Sequence, residues 1–278
     1  MSDTAKPSKT VLIGAGRMGS ALAAGWLKKG GAVTPENLLI VDPGRNEHCK
    51  ALVSKHGLKR VPELGPRMAK DVSLVVLGVK PQKFDEVAPV LNDILPEDTA
   101  IVSVIAGISV RRLRTAFGDR PIVRAMPNTP ASIGKGITVA IANDVPAAIK
   151  RRAEKLLKVG GPVEWITDER HMGAVTALSG SGPAYVFLLA ETMAAAGFAE
   201  GLPRELAERL ARETIIGAAA LLAESPDSPA DLRRAVTSPG GTTQAALDVL
   251  MTGLPDLMRN AISAAERQSR KLGNENGR

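Results

Sequence analysis

The sequence predicts an α/β protein: an N-terminal, doubly wound sheet domain (residues 1–170) followed by an all-α domain (residues 171–278). Three observations carry this reading. Short β-branched runs alternate with amphipathic segments through the first half, a glycine-rich turn joins the first apolar run to the first helical one, and strands stop after about residue 170. A chain of 278 residues is long enough for two cores. With 44% apolar and 23% charged residues it has the balance of a globular protein, and aromatics at 3% leave those cores to Ala, Val, Leu and Ile.

Strands are expected at 10–14, 38–42, 72–79, 100–105, 122–126, 137–142 and 163–166. The early ones are apolar without alternation, the pattern of a parallel sheet covered on both faces. Helical patterns at 17–29, 45–55, 83–94 and 146–158 fall between them. Beyond residue 170, helices are expected at 183–201, 203–224 and 255–272, with Pro203 and Pro255 where a first helical turn tolerates proline. The closing GNENGR reads as a frayed tail.

Composition excludes several functions. Cys49 is the only cysteine, which rules out a disulfide framework or cysteine metal cluster, and His48, His56 and His171 have no metal-ligand spacing, so no metal is expected. The opening MSDTAKPSKT lacks the apolar run of a signal peptide, and a cytoplasmic location is expected. Residues 172–199 are almost free of charge, but GSGP and Glu191 interrupt them; a buried or subunit-interface helix is expected rather than a membrane span. The net charge of +7 is uneven: residues 1–170 hold 26 Lys and Arg against 17 Asp and Glu, residues 171–278 hold 10 against 12. No long basic tract is interleaved with aromatics, so nucleic acid is not an expected partner, and the basic first domain suits an anionic cofactor.

In VLIGAGRMGSALAAGWL, Gly14, Gly16 and Gly19 stand at G-x-G-x-x-G spacing between a strand and a helix. Gly14 makes the tight turn, Gly16 admits a pyrophosphate to the backbone, and Gly19 lets helix and strand pack closely. Ala15, Arg17 and Met18 complete a cradle at the helix N-terminus. Asp42 ends the second strand, where a carboxylate accepts bonds from ribose hydroxyls and opposes a 2′-phosphate, which leans the reading to NADH. Arg45 in DPGR would clamp that phosphate instead, so NADPH stays open. GVKP (78–81) and IAG (105–107) follow strands at the sheet edge where open α/β folds bind ligands.

Residues 171–270 contain no lysine. The β-hydroxyacid dehydrogenases, whose architecture the pattern otherwise resembles, rely on a lysine in the first long helix of the helical domain; here that helix reads AYVFLLAETMAAAG. An imine substrate removes the difficulty, because once protonated it is already an electrophile and needs mainly positioning. The loop SPGGTT (238–243) admits two readings, a glycine hinge between helices or a ligand site at a helix start. Only the second gives reasons for Ser238, Thr242 and Thr243 as well as Gly240 and Gly241.

MPNTP (126–130), LSGSGPAYVF (178–187) and SPGGTTQAALDVL (238–250), with VKP (79–81) and AGIS (106–109), resemble the pyrroline-5-carboxylate reductases, in the same order from Lys9 to about Leu272. The resemblance implies a Rossmann-type domain, a helical dimerisation domain, and reduction of 1-pyrroline-5-carboxylate to L-proline by NADPH or NADH. It also implies at least a homodimer with interleaved helices, and larger rings of dimers. By position, Gly14 to Gly19 hold the pyrophosphate, and Val79, Lys80 and Pro81 with Ala106 and Gly107 line the nicotinamide side. Asn128 sits near the cofactor; Ser238, Gly240, Gly241, Thr242 and Thr243 form the substrate loop, with the Thr243 hydroxyl on the ring nitrogen. Many members have small hydroxyl residues where this chain has Asp42. A related reductase of another cyclic imine or a 2-oxo acid is the alternative.

Overall fold

The computed structural model describes residues 9–28, 31–44 and 46–275. It divides into two compact units: the chain through Gly180 together with the residues from Glu266, and Ser181–Ala265.

The first unit holds an eight-stranded sheet in the order β3-β2-β1-β4-β5-β6-β7-β8. Its strands are β1 Lys9–Ile13, β2 Leu38–Val41, β3 Lys59–Val61, β4 Val72–Leu77, β5 Ala100–Ser103, β6 Ile122–Pro127, β7 Thr138–Ile141 and β8 Val163–Ile166. All neighbours are parallel except β6 and β7, which run antiparallel. Helices α1 Arg17–Trp26, α2 Glu47–His56, α3 Pro66–Ala69, α4 Phe84–Ile94, α5 Val110–Phe117 and α6 Ala147–Leu157 fall between the strands.

Alternate residues of one strand enter two different cores. Leu12, Ile40 and Val76 pack with Leu22 and Trp26 of α1 and Leu156 of α6. Val11, Leu39, Val75 and Leu77 pack with Phe84 and Leu91 of α4 and with Leu113 and Phe117 of α5. Both faces are covered, which is why the strands read as unbroken apolar runs. The buried indole of Trp26 donates to the Leu156 carbonyl at 2.7 Å, satisfying its one polar atom.

After β8 the chain forms α7 Met172–Val175, then a π-helical turn over Thr176–Gly180. Glu169–Ala199 is long and apolar enough to cross a membrane by length and composition alone; the π turn and Gly-Ser-Gly-Pro interrupt its regular helix. The second unit contains α8 Gly182–Ala199, α9 Arg204–Glu224, α10 Pro229–Ala235 and most of α11 Thr242–Glu275. No residue of α8 is buried in the single chain, and Phe187 of α8, Val249 and Leu257 of α11 are 67%, 72% and 67% exposed.

The helix expected to start at Pro255 begins thirteen residues earlier, and Pro255 lies inside α11. An interior proline removes one backbone bond and costs about 3 kcal/mol. The apolar stripe Leu250, Leu254, Leu257 continues through it at helical spacing, so the packing face is the same on both sides.

Candidate active site

The carboxyl ends of β2, β1 and β4 are tied together where the order of strands reverses. Gly14 N–H donates to the Val41 carbonyl at 2.9 Å, and Gly78 N–H donates to the Ile13 carbonyl at 2.8 Å. Gly14 has φ +88°, and a Cβ on it would lie 2.8 Å from Val79 N. A Cβ on Gly19 would lie 2.3 Å from the Gly14 carbonyl oxygen. A Cβ on Gly16 would meet nothing within 4 Å. Two of the three glycines are therefore required by protein packing, and the third faces open space. Gly16 caps α1 in an extended conformation, with no side-chain cap and no acidic residue in the first turn. The first turn of α1 thus carries no carboxylate of its own, and the amides of Arg17 and Met18 are of the kind that suits a dinucleotide pyrophosphate.

These glycines separate two effects. Gly19→Ala gains about 1 kcal/mol of helix propensity, but its methyl meets a backbone oxygen that cannot move aside; the variant is expected to melt at a lower temperature and to lose dinucleotide binding. Gly16→Ala is expected to melt as the wild type while binding dinucleotide at least about tenfold more weakly. Thermal denaturation with a dinucleotide titration reads both, and wild-type affinity in Gly16→Ala means the pyrophosphate does not approach that turn.

Asp42 is 6% exposed. Its Oδ2 accepts Ala15 N–H at 2.8 Å, and its Oδ1 accepts Gly44 N–H at 2.7 Å and Asn46 Nδ2 at 3.4 Å. The carboxylate thus braces the glycine-rich turn, a task the sequence reading did not give it, and keeps lone pairs for a further donor. Arg60 Nη1 donates to the Asp42 carbonyl at 3.0 Å. Arg45 lies outside the described residues. Cys49 is buried near this carboxylate; burial first, then the Asp42 charge, pushes its thiol up to about 11, so it stays protonated and unreactive.

Val79 is half-buried, Lys80 is exposed, and Pro81 opens a single 3₁₀ turn after β4. After β5, Ala106 is exposed and Gly107 takes φ +77°. Ser109 then caps α5 by accepting Arg112 N–H at 3.1 Å. Asn128 is a clamp: its Oδ1 accepts Ile137 N–H at 3.0 Å, and its Nδ2 donates to the Ser179 carbonyl in the π turn at 3.3 Å.

In the second unit, Ser238-Pro239-Gly240-Gly241 is a tight turn closed by Gly241 N–H to the Ser238 carbonyl at 3.0 Å, with Gly240 at φ +68°. Proline second and a positive-φ glycine third are the requirements of a type II turn. A Cβ on Gly241 would lie 2.5 Å from Ser238 Oγ, so the turn holds that hydroxyl against the start of α11. The first bond of that helix runs from Ala245 N–H to the Gly241 carbonyl at 3.2 Å, which leaves the amides of Thr242, Thr243 and Gln244 at an open N-terminus. Thr242 is exposed and Thr243 half-buried.

Two participants escaped the sequence reading. Gly78 is needed because a Cβ there would come 3.0 Å from the Gly14 carbonyl; the signal was its place in GVKP. Arg60 lies on β3, a strand of three residues with no apolar run to reveal it.

A family model described as pyrroline-5-carboxylate reductase dimerisation matches residues 169–272. One described as NADP oxidoreductase coenzyme F420-dependent matches residues 9–107. A pyrroline-5-carboxylate reductase of Pseudomonas aeruginosa is 40% identical over 272 residues, 97% of this chain and 98% of its own. One from Synechocystis is 37% identical over 267 residues, 94% of this chain and 97% of its own. Among solved structures, a Coxiella burnetii pyrroline-5-carboxylate reductase superposes with TM-score 0.87 at 34% identity, covering 96% of this chain and 99% of that one. A Plasmodium falciparum pyrroline carboxylate reductase with NADP bound superposes with TM-score 0.81 at 29% identity, covering 96% and 98%. With likeness at this level over nearly the whole length of both chains, this protein belongs to the pyrroline-5-carboxylate reductase family.

Proposed function

We propose that this chain reduces the C=N bond of 1-pyrroline-5-carboxylate to L-proline with NADPH or NADH. The observation that carries the reading within the family is the SPGGTT turn, a type II turn that presents three hydroxyls and three open amides at the start of α11. The nicotinamide, when bound, supplies a hydride to the imine carbon. Ser238, Thr242 and the open amides hold the substrate carboxylate, and the Thr243 hydroxyl sits on the ring nitrogen and orients the imine. A protonated imine already carries its proton, so hydride addition alone completes the amine, in keeping with a helical segment without lysine between 171 and 270. Val79, Lys80, Pro81, Ala106 and Gly107 line the nicotinamide side and Asn128 sits near the cofactor. The test is product analysis: one L-proline formed per reduced dinucleotide consumed. A different product, or dinucleotide oxidation without proline, overturns it.

The charge of Asp42 at the end of β2 supports a lean to NADH. Asp42→Ser is expected to shift the NADH/NADPH ratio of kcat/KM toward NADPH. It is also expected to lower the melting temperature, because each hydrogen bond to a charged group contributes about 1.5–3 kcal/mol. An unchanged ratio with a lowered melting temperature leaves Asp42 the brace alone. The functional division at residues 170/171 assigns cofactor to the first part and substrate and assembly to the second. The exposed apolar side chains of α8, α9 and α11 support a homodimer at minimum; larger rings of such dimers, a cytoplasmic location and no nucleic-acid partner complete the proposed reading.

A further inference from the structure

At the opposite end of β1 from the glycine-rich turn is a cavity of about 260 Å³, lined by Thr10, Thr34, Asn37, Arg152, Lys155 and Leu156 among others. Arg152 reaches it from α6. Its Nη1 donates to Ser73 Oγ at 2.7 Å and its Nη2 to Thr10 Oγ1 at 3.0 Å, hydroxyls on the second residues of β4 and β1. The guanidinium is half-buried, and burial lowers its pKa. A charge placed there ordinarily meets a carboxylate, because removing it from water is costly. Among the described residues no carboxylate lies within ion-pair distance of Arg152, and three of its five N–H donors remain beyond the two hydroxyls.

Lys155 stands one turn further along α6 on the same cavity, and Asn37 adds a carboxamide. The nearby carboxylates are engaged elsewhere. Glu36 accepts from Thr34 and from its own backbone, and Asp71, two residues before Ser73, pairs with Lys9 at 3.5 Å.

We propose that this cavity is a second, non-catalytic site for a small oxyanion, a phosphate monoester or a dicarboxylate. Arg152 supplies a fixed planar fork and Lys155 a mobile point charge, the pair of donors that suits such groups. At roughly 30 Å³ per water-sized group, the volume admits a molecule larger than bare phosphate. The site is at the amino ends of β1 and β4, and the dinucleotide turn is at their carboxyl ends, so both are open to occupation together.

The test is isothermal titration of inorganic phosphate, and separately of succinate, into protein saturated with NADP⁺, which fills the pyrophosphate cradle. One additional site per chain is expected for at least one anion, and the tighter of the two names the class. Arg152→Gln is expected to weaken it at least about tenfold. Lys155→Gln, an exposed position whose loss leaves folding intact, is expected to weaken it about three- to tenfold and to reduce its salt dependence. Absence of saturable binding by both anions, or affinities unchanged in Lys155→Gln, overturns the proposal even if Arg152→Gln fails to fold.

Discussion

Thr243→Val is expected to lower kcat/KM by about 100-fold, the effect of deleting one positioned hydrogen bond at a reacting centre. Valine keeps the branched shape of threonine. The residue is the second of α11 and only half-buried, so the melting temperature is expected to stay near the wild-type value. Dinucleotide affinity is expected to stay as well, because the glycine-rich turn is part of the other unit. The loss therefore belongs in turnover of the imine and not in cofactor binding or folding. Near-normal turnover would reduce SPGGTT to a hinge between α10 and α11 and leave its three hydroxyls without a task.

Leu257→Glu is expected to break the dimer. Leu257 is 67% exposed in the single chain, and Leu250 and Leu254 on the same face of α11 are 50% and 45% exposed. Full burial of one leucine side chain contributes about 1.5–3 kcal/mol, and a two-fold interface counts each substitution twice. A buried, unpaired carboxylate adds to the loss. Together these predict a dissociation constant raised at least about 100-fold and little folded protein at low concentration, read by sedimentation and by the concentration dependence of the melting temperature. A Leu257→Glu variant that sediments as the wild type would remove this face of α11 from the interface. A folded, active wild-type monomer would remove the interface altogether.

Features set by local pattern were legible in the sequence. The strands of the sheet centre showed as apolar runs because both their faces are covered, and the tight turn at Gly14 and the close packing at Gly19 followed from their spacing because the strand–turn–helix geometry leaves few alternatives. What depends on distant partners was not legible. The acceptor for Ala15 N–H is Asp42, 27 residues away, and nothing local says that its carboxylate turns inward. Arg152 meets Ser73 and Thr10 across 79 and 142 residues, so the basic cavity exists only in the fold. β3 escaped because Lys59-Arg60-Val61 is short and mostly polar, an edge strand that sets only Val61 against a core. Pro255 misled because a local stop signal was outweighed by an apolar stripe continuing through it.

The central claim is that this protein's hydride acceptor is a cyclic imine held by the SPGGTT turn. The most direct measurement is kcat/KM for 1-pyrroline-5-carboxylate and for a 2-oxo acid such as pyruvate, each with NADH and NADPH at saturation. Turnover of the imine with at least one of the two cofactors, at least about 1000-fold above the 2-oxo acid (about 4 kcal/mol of transition-state discrimination), is the predicted result. Comparable rates on both substrates, or turnover of the 2-oxo acid alone, would contradict it.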